Sequence, residues 1–347
     1  CALSRQGKRR TRGSIETVDT MKQILVICDG MADSPMERLN GKTPLQAAET
    51  PALDFLAANG RCGSLRTVPE GHYPGSETAI LTILGYAPDE LPSGRGPLEA
   101  TGLGIDVSPD DTVMRYAVSD PSLLLNGNAD LRHTLEHKFP DLKFHSLSET
   151  SGICIIPNGC RLSDIHAEGI TFWSGDTPRA YEPFVSRHQQ FSRPVVIGAV
   201  PLLKGMAYSI QAEWIRPEGA TGDCDTAYRA KCDAAVAALK DHDIVILHIE
   251  ACDYASHKMD VNSKLNAIRN IDREIIGPLM KKLCDGEDFA IAVMSDHPSL
   301  CEKGCHSVDS VPFLLYYHGI EKDETNMFSE EEAATGNLES ISDIYRQ

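Results

Sequence analysis

Three short apolar runs in the chain are each followed by side chains that can bind metal ions. Unbroken apolar runs of this length are typical of strands that are buried on both faces. Because ligands bind at the carboxyl ends of strands in open α/β sheets, we expect these side chains to meet in one crevice. The groups and the runs that they follow are Asp29 after 22–28, Glu250 and Asp253 after 243–249, and Asp296 and His297 after 289–294.

The spacing of several of these groups suits metal binding. If a helix follows the run 243–249, Asp253 and His257 lie one turn apart on one face, close enough to hold one cation. Carboxylate with imidazole suits zinc or manganese better than calcium. A zinc knuckle of two His and two Cys within 297–306 is an alternative, but the segment has no Cys-x-x-Cys pair. The candidate ligands outnumber those that one ion takes, which indicates two metals: Asp29, Ser76, Asp253, His257, Asp296, His297 and His306.

Ser76 is the candidate nucleophile. Two metal ions about 3.5–4 Å apart can clamp the attacking and leaving oxygens of a phosphoryl transfer. Gly75 leaves room for close backbone approach, and a helix predicted over 77–84 and closed by Gly85 would favour a phosphate at its start. A metal on the seryl oxygen would produce an alkoxide at neutral pH. Taken alone, a serine in this position is more often a helix N-cap.

The strands and helices that would position these groups can be predicted from apolar periodicity. Strands of one sheet are expected at four runs: 22–28, 243–249, 289–294 and 311–317. Helices are expected over three segments: 50–60, starting at Thr50-Pro51; 226–240, capped by Asp225; and 263–276, ended by Gly277-Pro278. Strands that alternate with helices predict a doubly wound, mostly parallel α/β sheet.

The middle of the chain differs from its flanks. Here strands are weaker, loops are richer in glycine, serine and proline, and the metal-type clusters are missing. We therefore expect residues 110–221 to form a smaller inserted α+β domain, and residues 21–109 with 222–347 to form a discontinuous metal-binding domain. Residues 1–20 are Arg-rich without an apolar segment, and they are expected to be a leader or a misplaced start.

The overall charge narrows the classes of partner. The 347 residues include 50 acidic and 33 basic side chains, a formal net charge of −17. A polyanion of this size repels nucleic acid and anionic membranes, and no run of about 18 apolar residues predicts a membrane span. Eleven cysteines without the spacing of a disulfide framework are expected to be reduced thiols of a cytoplasmic protein. The expected partner is a small phosphorylated substrate, and self-association is left open.

Several further motifs occur in a fixed order along the chain. They are Asp29-Gly30, Gly75-Ser76-Glu77-Thr78-Ala79, Gly94-Arg95-Gly96-Pro97-Leu98-Glu99-Ala100, Gly219-Ala220-Thr221-Gly222, and the clusters at 248–264 and 296–313. With these motifs the chain resembles the archaeal-type, 2,3-bisphosphoglycerate-independent phosphoglycerate mutases of the alkaline phosphatase superfamily. The resemblance covers most of the expected metal-binding domain and implies an alkaline phosphatase type of fold.

The resemblance also implies a mechanism and a set of site residues. One metal would be held by Asp253, His257 and His306, and the other by Asp29, Ser76, Asp296 and His297. Manganese is the expected ion, with zinc, cobalt or magnesium as alternatives. Ser76 would take the phosphoryl group as a phosphoserine and return it to the other hydroxyl of the bound glycerate, which interconverts 3-phosphoglycerate and 2-phosphoglycerate. The inserted domain would be a lid that orients the substrate and excludes water.

Three basic residues are candidates for binding the substrate's phosphate or carboxylate: Arg95, Arg115 and Lys264. The chain departs from the family pattern where the segment after Arg115 is shortened and where Tyr254 replaces a common glutamate. These departures bear on the identity of the substrate. Two alternatives therefore stay open: a metal-dependent phosphatase or phosphomutase that acts on another small phosphorylated metabolite, and a metal-binding scaffold without catalysis.

Overall fold

The computed structural model describes residues 21–120, 128–160 and 168–345, so the predicted leader lies outside the described residues. The strands are β1 (Gln23–Cys28), β2 (Arg61–Leu65), β3 (Thr112–Val118), β4 (Lys143–Ser146), β5 (Ser151–Ile156), β6 (Ile170–Asp176), β7 (Pro194–Ile197), β8 (Glu213–Ile215), β9 (Ile244–Ile249), β10 (Ala290–Met294), β11 (Ser299–Leu300), β12 (Cys305–His306) and β13 (Val311–Tyr316). The helices are α1 (Pro44–Ala47), α2 (Pro51–Asn59), α3 (Ser76–Ile83), α4 (Gly96–Leu103), α5 (Asn128–Lys138), α6 (Phe184–Arg187), α7 (Pro201–Ser209), α8 (Tyr228–Ala238), α9 (Ala251–His257), α10 (Val261–Ile271), α11 (Gly277–Cys284) and α12 (Glu330–Ala333). In these described ranges, no helix has both the length and the apolar character that crossing a bilayer requires.

A seven-stranded sheet in the order β2-β13-β10-β1-β9-β7-β8 forms the centre of the fold. Strand β1 pairs in parallel with β9 and β10, and β7 pairs in parallel with β9 and β8. Only β13 runs antiparallel to both of its neighbours in this sheet. The four strands predicted from apolar runs are β1, β9, β10 and β13, and they lie side by side. The doubly wound, mostly parallel sheet is therefore confirmed.

Helices cover both faces of this sheet. Because side chains alternate along a strand, Ile24 and Val26 of β1 pack into a core formed with α2, α8, α10 and α11. Leu25 and Ile27 face the opposite way, into a core formed with α3, α4 and α7. Burial on both faces explains why β1 is apolar at nearly every position.

The register of the central strands aligns their carboxyl ends. Ile27 of β1 lies opposite His248 of β9 and Met294 of β10. The residues that follow these three strands therefore emerge at the same edge of the sheet. This alignment brings the predicted metal ligands together from distant parts of the sequence.

A second sheet has the order β4-β5-β3-β6, and each neighbouring pair is antiparallel. Val113, Ile153 and Ile155 of this sheet pack against Ala100 of α4. The structure differs from the predicted range 110–221 at its end, because β7 and β8 lie inside that range but pair in the large sheet. With four and three residues, these two strands are too short to stand out as apolar runs.

The expected helix break at Gly277-Pro278 is wrong. A π-helical turn, Asp272–Ile276, joins α10 to α11 without a break, and Pro278 lies in α11 directly after this turn. The carboxylate of Asp272 accepts hydrogen bonds from the backbone N–H groups of Ala52 and Leu53, at 3.3 and 2.8 Å. Asp272 thus caps α2, although Thr50 occupies the N-cap position without a side-chain cap bond.

The predicted cap of α8 is also wrong. The N-cap residue is Ala227, which has no side-chain hydrogen bond to the helix. Asp225 instead accepts a hydrogen bond from the hydroxyl of Thr221 at 2.8 Å. Asp225 therefore stabilises the loop before α8 rather than the helix.

Candidate metal centre

The loop after β1 is held in a conformation that only glycine adopts readily. Gly30 has a φ of 64°, and its N–H donates to Oδ1 of Asp296 at 3.0 Å. A Cβ atom on Gly30 would collide with Ser299 and with the backbone of Asp253. Glycine therefore permits the loop after β1 to approach α9 and β11 closely.

The first group of candidate ligands is Asp253, His257 and His306. Asp253 and His257 lie one turn apart on α9, and His257 Nε2 is 3.3 Å from Asp253 Oδ2. His306 Nε2 is 3.0 Å from Asp253 Oδ1 and 2.9 Å from His257 Nε2. Burial alone would raise the pKa of Asp253, but hydrogen bonds from His257 and His306 hold it well below its usual range. Three ligand atoms therefore converge at a position suited to a cation.

The second group is Asp29, Ser76, Asp296 and His297, all buried. His297 Nε2 lies 3.3 Å from Asp296 Oδ2 and 3.6 Å from Asp29 Oδ1. Burial, together with the charges of Asp296 and Asp253, raises the pKa of Asp29 well above its usual value. Within the described residues, Asp29 Oδ1 and Asp296 Oδ2 have no hydrogen-bond partner. Buried carboxylate oxygens without partners are costly, and a divalent cation between them would remove that cost, so these residues fit a metal.

Ser76 does not act as a helix cap. The N-cap of α3 is Gly75, and Ser76 is the first residue of the helix. Its Oγ lies 3.4 Å from Asp29 Oδ2 and 3.3 Å from His297 Nε2. The hydroxyl thus faces the second ligand group, at a helix N-terminus that favours an anion.

The two groups adjoin each other. The rings of His297 and His306 stack with their centroids 4.0 Å apart. Ser299 links the groups, because its hydroxyl donates to Asp253 Oδ1 at 2.6 Å and lies 3.3 Å from His297 Nδ1. The structure therefore brings all seven predicted ligands to one place.

The zinc knuckle considered for residues 297–306 is not formed. Cys301 is buried and its thiol points toward the carbonyl of Ala255, whereas Cys305 is exposed. In the described part of the chain, the groups that could hold a metal contain no cysteine. The histidines of this segment serve the two groups above instead.

A cavity of about 420 Å³ opens beside both groups. Two of the three predicted substrate-binding residues line it. Arg95 holds Glu77 through Nε and Nη2, at 3.1 and 2.9 Å from Glu77 Oε2. Arg115, from β3 of the small sheet, pairs with Glu99 at 2.5 Å. Both guanidinium groups thus reach the cavity while anchored by carboxylates.

Lys264 is placed differently from the prediction. Its side chain is fully buried, and its ammonium lies 2.8 Å from Asp33 Oδ2 and 2.7 Å from the carbonyl oxygen of Ser299. It does not line the cavity. Lys264 instead joins the loop after β1 to the loop after β10, and each of these loops carries candidate ligands.

Sequence reasoning missed two buried residues beneath the second group, His248 and Lys231. His248 lies at the end of β9, between Asp29 and Glu250. Burial opposes its charged form, but Glu250 and Asp29 raise the pKa of His248 to about 10. Burial likewise opposes the charge on Glu250, yet Lys231 and His248 lower its pKa to about 2. The sequence signal that could have identified His248 is a histidine inside the otherwise apolar run 243–249.

Comparison with known proteins assigns the chain to a family. Residues 21–344 match the family model described as the Metalloenzyme superfamily, and the chain belongs to that superfamily. Among its relatives is 2,3-bisphosphoglycerate-independent phosphoglycerate mutase 2 of Methanothermobacter thermautotrophicus. The two are 33% identical over an alignment of 381 positions, gaps included, which covers 92% of this chain and 94% of the relative. This match confirms the resemblance stated above.

Solved structures agree with this assignment. A protein from Pyrococcus horikoshii aligns with a TM-score of 0.77 and 30% identity, covering 91% of this chain and 93% of the other. A cofactor-independent phosphoglycerate mutase from Thermoplasma acidophilum aligns with a TM-score of 0.64 over 94% of this chain and 98% of the other. At 22% identity, the second match supports the fold alone.

Proposed function

We propose that the chain is a metal-dependent phosphoglycerate mutase that interconverts 3-phosphoglycerate and 2-phosphoglycerate through a phosphoserine at Ser76. The observation that carries this proposal is the position of Ser76 Oγ, 3.4 Å from Asp29 Oδ2 and 3.3 Å from His297 Nε2, beside the cavity. The relatives that bear this name, aligned over nearly the whole chain, support the choice of substrate.

The proposed site holds two divalent ions. Asp253, His257 and His306 would hold one, and Asp29, Ser76, Asp296 and His297 the other. We propose manganese, because a mixed set of carboxylate, imidazole and hydroxyl ligands suits it, as it suits zinc or cobalt. When bound, the ions lower the pKa of the seryl hydroxyl and neutralise the phosphate.

The chemical step requires one nucleophile and two displacements. Ser76 Oγ forms a bond to phosphorus while the bond from phosphorus to the glycerate oxygen breaks, and the seryl proton ends on that oxygen. The other hydroxyl of the retained glycerate then attacks the phosphoserine, and its proton returns to Ser76. The N-terminus of α3 orients the phosphate, while Arg95 and Arg115 bind the anionic groups of the substrate.

Retention of the glycerate separates a mutase from a phosphatase. The cavity is lined by Arg115 of β3, by Ser151 of β5, and by Leu147 and Ser148 in the connection between β4 and β5. We assign the small sheet the role of the lid that keeps water from the phosphoserine. The alignment with the Methanothermobacter relative spans 381 positions, more than the 347 residues of this chain, so the relative has residues that this chain lacks. Hydrolysis of the phosphoserine is therefore the alternative to test.

The test follows two products at once. The manganese-loaded protein is incubated with 3-phosphoglycerate, and 2-phosphoglycerate and free phosphate are both measured. We expect isomer without phosphate, and no turnover from Ser76→Ala, while the control Ser108→Ala, at an exposed serine before β3, keeps full activity. Phosphate without isomer would identify a hydrolase. No product from the unmodified protein with any phosphorylated substrate would favour a metal-binding scaffold.

A further inference from the structure

His248 occupies a buried position between two carboxylates. Its side chain has no exposed surface, Nε2 lies 3.4 Å from Asp29 Oδ2, and Nδ1 lies 3.1 Å from Glu250 Oε1. On the far side, Glu250 Oε2 is 2.9 Å from the ammonium of Lys231. Lys231 also donates to the backbone carbonyl of His248 at 3.0 Å, which fixes the end of β9. These four side chains form a continuous row from the core to the second ligand group.

Asp29 has two oxygens with different surroundings. Oδ2 lies beside His248 Nε2 and Ser76 Oγ. Oδ1 lies beside His297 and has no hydrogen-bond partner among the described residues. A carboxylate can rotate about its bond to Cβ, so its orientation depends on what holds one of the two oxygens. His248 Nε2 contacts Oδ2 at an ion-pair distance of 3.4 Å, without the geometry of a hydrogen bond.

We propose that His248 is a positioning residue, which holds Asp29 so that Oδ1 points into the second metal position, and that Glu250 and Lys231 hold His248 in turn. The inference rests on the proposed metal sites. Partners behind a metal ligand commonly orient it, and their loss weakens metal affinity about 10–100-fold. A ring nitrogen of His248 also lies within 4.8 Å of carboxylate oxygens of Asp29 and Asp296, so direct binding of the ion by His248 is the alternative that the test must separate from positioning.

Metal titration of variants tests this role. Manganese binding is measured by calorimetry for the metal-free wild-type protein, His248→Leu and His248→Gln. In His248→Leu we expect one ion to bind as in the wild type and the other about 10–100-fold more weakly. His248→Gln retains a donor that can reach Asp29, so we expect a smaller loss. His188→Leu is the matched control, because this half-buried histidine packs between Phe184 and Tyr345 away from the site.

Cobalt absorption separates positioning from direct ligation. At saturating cobalt, the visible spectrum of His248→Gln should match that of the wild type, because the ligands themselves are unchanged. A changed spectrum at saturation would show that His248 binds the ion, and would overturn the proposal. Two wild-type affinities in His248→Leu would overturn it as well.

A second variant covers the case in which His248→Leu does not fold. Lys231→Met removes the far end of the row without touching a proposed ligand, and we expect it to weaken the same ion several-fold. An unchanged affinity would overturn the proposal. If the wild-type protein itself binds fewer than two ions, the proposed function fails too, so the two failures are distinguishable.

Discussion

Replacing Lys264 by methionine distinguishes a structural lysine from a substrate contact. Lys264 and Asp33 are both fully buried. The ammonium also donates to the carbonyl oxygens of Ser299 and Ala32, at 2.7 and 3.4 Å. Methionine preserves most of the volume but removes the charge and all three contacts. The perturbation is therefore electrostatic rather than a change in packing.

The expected loss in the free energy of unfolding follows from the contacts that Asp33 keeps in the variant. In Lys264→Met, the buried carboxylate of Asp33 keeps only neutral donors, the backbone N–H groups of Ser34 and Cys301, at 2.7 and 3.1 Å. Breaking a buried ion pair in this way costs about 3–5 kcal/mol. Since a domain is stable by about 5–15 kcal/mol in total, this is a large fraction. Neutralising the partner as well, in Lys264→Met with Asp33→Asn, should recover part of the loss.

Urea unfolding of the chelator-treated proteins measures these free energies. The control is Lys281→Met, an exposed lysine on α11, which should stay within about 0.5 kcal/mol of the wild type. A loss below about 1 kcal/mol for Lys264→Met, combined with a raised KM for 3-phosphoglycerate, would refute the structural role. That result would support the substrate contact predicted from the sequence.

Three further outcomes are expected. Removing metal with a chelator should lower the midpoint of thermal unfolding, and added manganese should restore it, because Asp29 Oδ1 and Asp296 Oδ2 are otherwise buried without a hydrogen-bond partner among the described residues; a midpoint insensitive to metal would contradict this. In the metal-free protein, the free energy of unfolding should decrease as pH rises above about 6.5. The pKa of His257 is raised by Asp253. Protonated His257 therefore contributes its full stabilisation below the pKa of histidine in the unfolded chain, and this stabilisation is lost as pH rises through the higher pKa of the folded protein. Urea midpoints that stay constant from pH 6 to pH 9 would exclude this contribution. Gly30→Ala should weaken metal binding and destabilise the protein by about 1–3 kcal/mol, and calorimetry showing wild-type manganese affinity would count against that.

The sequence predicted the centre of the sheet and the convergence of the candidate ligands, and both predictions have the same physical reason. A strand buried on both faces must be apolar throughout, so β1, β9 and β10 are visible as runs. Their polar successors, such as Asp29 and Asp296, must lie at the carboxyl edge. Strand β7 is buried as well, but its four residues are too few to distinguish it from a loop.

The burial and the tertiary partners of individual side chains were harder to predict than the positions of the strands and helices in the sequence. Lys264 lies three residues after Val261 and four before Ile268, which places it on the apolar stripe of α10. The pattern thus indicated burial, but only tertiary structure supplies Asp33 as its partner. His248 was missed for the same reason, since one of its two carboxylate partners, Asp29, comes from the loop after β1 and only the other, Glu250, is close to it in sequence.

The pairing of charges around the site explains why it requires cations from outside the chain. Four arginines and lysines near the site each pair with an acid that is not a candidate ligand: Arg95 with Glu77, Arg115 with Glu99, Lys231 with Glu250, and Lys264 with Asp33. Among the described residues, the carboxylates of Asp29, Asp253 and Asp296 have ion pairs with histidines alone. Even with His248 charged between Asp29 and Glu250, the three carboxylates leave an excess of negative charge, whereas two divalent ions together carry more positive charge than the three carboxylates carry negative charge. A site with that balance attracts a phosphate, which is the charge that the proposed reaction must bind and transfer.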